Sequence, residues 1–169
     1  MRYPKPLPGL KNIAPYVGGE SELKGFDNIV KLASNEGAFG PSPKTLEALK
    51  ITAQNYHRYP DGDCTEIRNI LGEKNNINSQ NIICGAGSDE LINLLCRCYA
   101  GPGDEILYSK HGFAMYPIYG RTVGANIIAA PENNRTVSVD NLLGLITQRT
   151  KIIFIAKHLI VKLDKINTF

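Results

Sequence analysis

The stretch Asn81-Ile82-Ile83-Cys84-Gly85-Ala86-Gly87-Ser88-Asp89-Glu90-Leu91 decides how this chain is read. A short apolar run enters a glycine turn, and Leu91-Ile92 with Leu94-Leu95 keep helical spacing behind it. The local order is strand, turn, helix start. Such a turn exposes backbone N–H groups at the positive end of a helix dipole, a cup suited to a phosphate. Three readings stand open on these residues alone. A dinucleotide fingerprint is weak, because Glu90 fills the third glycine position and Lys110, not an acidic residue, sits at the end of the next strand. A tight strand–helix turn, with Ser88 as N-cap and Asp89 and Glu90 complementing the dipole, needs no ligand. In the third reading the amides of Ser88 and Asp89 hold a phosphate while the acidic side chains point away.

Outward from that turn the chain alternates. Strand 81–84 leads to a helix over 88–100, and Gly101-Pro102-Gly103-Asp104 turns into strand 105–108. A helix from about Phe113 to Val123 precedes strand 125–129, and a helix over 139–146 precedes strand 151–156. Four strands separated by helices predict an α/β fold of βαβ units on a parallel sheet with flanking helices. Upstream, Ser42-Pro43 caps a helix carrying Leu46, Leu49, Ala53 and Tyr56, which ends before Tyr59-Pro60-Asp61-Gly62. A second helix, 65–73, is expected to bury Ile67, Ile70 and Leu71. Residues 28–33 read as a short strand, and residues 1–30, with Pro4, Pro6, Pro8 and Pro15, read as an extended arm or coil that needs a surface to lie on.

The 169 residues suffice for one domain with a real core, and a net charge of +3 is too small and scattered to argue for nucleic acid. Met1 to Gly9 lack the apolar stretch of a signal peptide and no run is long enough to span a membrane, so the expected setting is cytoplasmic, without a membrane partner. Cys64, Cys84, Cys96 and Cys98 form no CxxC pair and read as small packing residues rather than zinc ligands or disulfides. Tyr16 and Tyr59 stand beside turns and read on their own as half-buried tyrosines. Phe113 opens a helix at the C-terminal edge of a strand, where open α/β sheets bind ligands. His57, His111 and His158 have no spaced partners that would make a metal site or a catalytic base.

In order and spacing, residues 2 to about 156 resemble histidinol-phosphate aminotransferase, within the class I/II aminotransferases that use pyridoxal 5′-phosphate. The matching stretches are Pro8-Gly9-Leu10 to Ala14-Pro15-Tyr16-Val17, Lys31-Leu32-Ala33-Ser34-Asn35-Glu36 with Gly40-Pro41-Ser42-Pro43, and Tyr59-Pro60-Asp61-Gly62. They continue through Cys84 to Leu91, Gly101 to Glu105, His111-Gly112-Phe113-Ala114-Met115-Tyr116 and Thr150 to Ala156. Gly37-Ala38 departs from the pattern, which usually has a proline there. The resemblance implies the fold type I large domain and a cofactor phosphate held by Ser88 and Asp89, mainly through backbone amides. Phe113 would stack on the pyridine ring, and Tyr59 would reach across a homodimer interface to the partner's cofactor phosphate. Tyr16 and Asn35 would face a small phosphorylated amino-acid substrate.

The resemblance also divides the chain: an N-terminal arm and small-domain segment at 1–58, part of the cofactor-binding large domain at 59–156, and a divergent tail at 157–169. After Ala156 the family pattern stops, as it would in a shifted or early-ended reading frame. The family's ring-pairing aspartate, cofactor-bearing lysine and substrate-gripping arginines have no counterparts here. None of Lys151, Lys157, Lys162 or Lys165 sits in the family's lysine context. The expectation is a truncated aminotransferase with no catalytic residue of its own, inactive alone. The alternative is a non-catalytic remnant, or half of a split protein, that binds a phosphate ligand or a complementary polypeptide. Strand 151–156 is expected to present an open apolar edge.

Overall fold

The computed structural model describes residues 5–18, 24–25, 34, 36–37 and 39–156. The expected strand at 28–33, Asn35 and the 157–169 tail lie outside them. The chain divides into two compact units, residues 15–84 and residues 1–14 with 85–169.

In the 15–84 unit, helix α1 runs Pro43–Thr52 and helix α2 runs Thr65–Asn75. The Ser42 side chain accepts from the Thr45 amide at 3.2 Å and Pro43 occupies the first turn, as the sequence predicts. Asp61 supplies the corresponding anchor for α2, its carboxylate accepting from the Thr65 amide at 2.8 Å and the Asp63 amide at 3.0 Å. These amides, Thr65 first, hold the Asp61 carboxyl below its usual range. The Tyr59-Pro60-Asp61-Gly62 turn is therefore a helix-starting device through its aspartate.

Of the expected buried face of α2, Leu71 is half-buried and the two isoleucines lie open. Ile67 is 53% exposed and Ile70 56%. The helix packs through Gly72 instead, against the 3-10 turn Ser79–Asn81, while Arg68 Nε and Nη2 donate to Ser79 O at 3.0 and 2.9 Å. A turn of three residues covers one side of a helix and leaves the isoleucine stripe open. The expected strand at 81–84 is corrected as well. Asn81 closes the 3-10 turn, Ile82 is extended, and Ile82–Cys84 forms no ladder among the described residues. An extended segment becomes a strand only where a neighbour completes its hydrogen bonds.

The other unit carries the sheet. Helix α3 spans Ser88–Tyr99, strand β1 Glu105–Ser109, helix α4 Met115–Thr122, strand β2 Asn126–Ala130, helix α5 Val139–Gly144 and strand β3 Thr150–Phe154. All three strands are parallel in the order β2-β1-β3. Central β1 is apolar on both faces, as a strand covered twice must be. Ile106 joins Ile92, Cys96, Ala125 and Phe154 in one core cluster, and Leu107 joins Ala130 and Leu142 in another. Helices α3 and α4 belong to the first side and α5 to the second. Cys96 is a packing residue, and burial pushes its thiol up to about 11.

The predicted arm is not wholly extended. Pro8–Asn12 forms a 3-10 helix lying on α4, with Gly9 so close that a Cβ there would fall 2.1 Å from Arg121 O. Only glycine permits that approach.

Candidate functional site

The cup is built as a turn, but Ser88 is not its N-cap. Gly87 holds that position at φ +84°, a backbone conformation open chiefly to glycine, and Ser88 is already helical. No side chain caps the Gly87 position. Instead the Glu90 carboxylate folds back and accepts from the Ala86 amide at 2.6 Å. That bond resembles a capping box displaced by one residue. It satisfies the Ala86 amide from within the chain. The amides of Ser88 and Asp89 start α3, where no intrahelical acceptor exists, so a phosphate fits the donor set. Ser88 is exposed and Asp89 half-buried.

Phe113 stands in the loop between β1 and α4, at the C-terminal edge of the sheet. Its ring meets Tyr116 edge-on, centroids 5.9 Å apart and planes at 89°. The half-buried ring is thus braced from within the same unit, which fixes an aromatic surface at the edge where ligands enter α/β sheets.

A polar cluster beside Phe113 is absent from the sequence reading. β1 and β2 end level, Ser109 opposite Ala130, and Lys110 N donates to Ala130 O at 2.9 Å. Two residues beyond β2, Glu132 reaches back across both loops. Its Oε1 accepts from the Ser109 hydroxyl and, at 3.1 Å, from the His111 amide, and its Oε2 lies 2.7 Å from His111 Nδ1. The Ser109 hydroxyl first, then the His111 ring, push the Glu132 carboxyl down to about 2. His111 therefore does have an acidic partner. The partner lies 21 residues away, and only the level ending of two parallel strands brings it close.

Tyr59 and Tyr16 belong to the 15–84 unit. Both are exposed, Tyr59 completely, so neither is the half-buried tyrosine that local sequence suggests. A hollow of about 250 Å3 beside α2, lined by Asn69, Gly72, Glu73, Ile77 and Ser79, contains none of the expected site residues. Among the described residues no cluster of three His, Cys, Asp or Glu side chains could hold a metal ion, and no helix is long and apolar enough to cross a membrane.

Comparison with known proteins gives this geometry a family. The chain is 55% identical over 156 residues to a histidinol-phosphate aminotransferase of Paramagnetospirillum magneticum, covering 92% of this chain and 43% of that protein. It is 54% identical over 153 residues to the enzyme of that name from Rhodospirillum rubrum, covering 90% of this chain and 42% of that one. The chain thus spans less than half the length of these curated relatives. Its fold matches a solved histidinol-phosphate aminotransferase of Sinorhizobium meliloti, in complex with pyridoxal-5′-phosphate, with TM-score 0.64 and 23% identity over 66% of this chain and 30% of that one. It also matches Thermus thermophilus aspartate aminotransferase with TM-score 0.62 and 21% identity, over 71% and 34%. The fold is that of the N-terminal part of a fold type I aminotransferase. A sequence model described as aminotransferase class I and II matches residues 27–157, more than half of the chain, and the protein belongs to that family.

Proposed function

We propose that this chain is the N-terminal portion of a pyridoxal 5′-phosphate-dependent aminotransferase of histidine biosynthesis. The reaction is amino-group transfer between glutamate/2-oxoglutarate and imidazole-acetol phosphate/histidinol phosphate. The observation that carries the reading is the 55% identity to a relative of that name across almost the whole of this chain. The glycine turn at Gly87 and the first-turn amides of α3, which have no intrahelical acceptor, support it from within the molecule.

In this reading the amides of Ser88 and Asp89 bind the cofactor phosphate and Phe113 packs on its ring. Tyr59, wholly exposed, serves the phosphate of a partner subunit in a homodimer. Tyr16 and Asn35 meet the substrate. When bound, the cofactor supplies the electron sink that the reaction needs. The residues of this chain bind and orient it. None of them supplies the amine that carries the cofactor, since no lysine here has the family's context, so the 169 residues alone are catalytically inert.

The test is a titration of the purified chain with pyridoxal 5′-phosphate, followed by absorbance and thermal shift. Saturable binding that raises the melting temperature, is competed by inorganic phosphate and leaves no borohydride-fixed lysine adduct supports the reading. A stable lysine adduct with turnover of glutamate and imidazole-acetol phosphate would overturn the inert assignment. Absence of any binding would overturn the cofactor assignment for these residues.

A further inference from the structure

Glu132 holds three donors with one carboxylate, and all three lie on the segment that ends β1 and presents Phe113. Its side chain is 5% exposed while that of His111 is 55% exposed, so the anchor is buried and the group it holds is accessible. Pro131 precedes it, and Asn141 Nδ2 donates to Pro131 O at 3.0 Å, which fastens the loop that carries the anchor. Gly112 N donates to Ser109 O at 2.7 Å, closing the turn immediately before Phe113. Gly112 cannot be enlarged there, since a Cβ would meet Ser109 O at 2.9 Å and Tyr108 Cδ2 at 3.3 Å.

An ionised carboxylate only accepts hydrogen bonds. His111 Nδ1 must therefore carry a proton, and in the neutral ring Nε2 keeps the lone pair. Nε2 has no hydrogen-bond partner among the described residues. We propose that Glu132 is a positioning residue, which sets the β1–α4 loop and Phe113 and holds His111 in the Nδ1-protonated form with Nε2 as the ring's acceptor. The statement about Phe113 rests on the cofactor-site reading above; the statement about His111 stands without it. The acceptor at Nε2 suits a ligand N–H or O–H at the same sheet edge.

The experiment uses the 15N-labelled full chain, with the His111 ring signals assigned by loss in His111→Gln. The unmodified protein should show Nδ1 protonated and Nε2 bare in the neutral ring. Glu132→Gln keeps the size and one acceptor but can turn an amide NH2 towards Nδ1, so the tautomer should reverse. Glu132→Ala removes all three bonds. It should speed hydrogen exchange at the His111 amide, shift the Phe113 ring resonances and weaken pyridoxal 5′-phosphate binding by about tenfold, the usual scale for a supporting shell. A bare Nδ1 in the unmodified chain, or unchanged Phe113 resonances in Glu132→Ala, would overturn the proposal. If Glu132→Ala does not fold, the tautomer in Glu132→Gln decides it. If the unmodified chain binds no cofactor, the cofactor reading fails, while the tautomer and exchange results still judge the positioning role of Glu132.

Discussion

Tyr116 lies flat against Phe154, ring centroids 4.4 Å apart and planes 5° from parallel. The contact joins α4 to the last residue of β3, and Tyr108 and Phe113 meet the same Tyr116 ring at 66° and 89°. Phe154 is also part of the core cluster around Ile106 and Cys96. Phe154→Ala should therefore cost about 3–5 kcal/mol in urea unfolding, as a large-to-small change in a packed site does. Tyr116→Phe keeps the stack and should cost far less. Burial also raises the Tyr116 pKa above the ordinary tyrosine value. Phenolate absorbance should show a late-titrating component that Tyr116→Phe removes; its persistence in the variant would refute the assignment.

Gly72 offers a case where helix propensity points the wrong way. Alanine in a helix interior normally gains about 1 kcal/mol over glycine. Here a Cβ would sit 2.6 Å from Ile77 O and 3.3 Å from Ser79 N, both backbone atoms of the segment on which α2 packs. Backbone cannot rotate away as a side-chain tip can. Gly72→Ala is expected to destabilise the chain and loosen the Arg68 contacts to Ser79 O. A rise in melting temperature would show that the 3-10 turn gives way more easily than its hydrogen bonds imply.

The reach of sequence reading is visible in these elements. The three strands of the sheet and the helices from α3 onward fall within about two residues of their expected bounds, because apolar periodicity and the Gly101-Pro102 turn signal act locally. The expected strand at 81–84 fails because pairing is a property of a neighbour, which no local pattern reports. Ile67 and Ile70 fail for a related reason: amphipathic spacing says which face seeks cover, not whether cover arrives. The tight-turn reading places the N-cap at Ser88, but Gly87, with its positive φ, gives the cap position to a residue with no side chain. Glu132 was invisible because its partners are 21 and 23 residues upstream and join it only through strand register.

At the opposite edge of the sheet, Glu105 begins β1 with a nearly buried carboxylate. It accepts from Thr147 Oγ1 at 2.6 Å and from Arg149 Nε at 2.8 Å, tying the α5–β3 connection to the central strand. The Thr147 hydroxyl chiefly, with Arg149 adding to it, lowers the Glu105 pKa from 4.5. For a depressed carboxylate the contribution is complete above the unfolded value and disappears as pH falls through the folded one. Glu105→Gln should therefore melt below the unmodified chain at pH 7, and the gap should close as the pH is taken below 4.5. Two melting curves that fall in parallel across that range would show that the Glu105 charge contributes nothing.

β3 lies at the edge of the sheet with Ile153 39% exposed and Ile155, just past its end, 65% exposed. An apolar edge with unpaired backbone groups is a template for a second chain, and a lysine there blunts it without disturbing the core. Ile155→Lys should leave the unfolding free energy within about 0.5 kcal/mol, as a surface change does, while lowering light scattering at high protein concentration. Net charge alone could do the same, so the control is Leu143→Lys on α5, a similarly exposed position away from the edge. If the edge governs association, the first substitution should suppress scattering clearly more than the second. Equal suppression would mean that self-association follows total charge, and that the open side of β3 plays no special part in it.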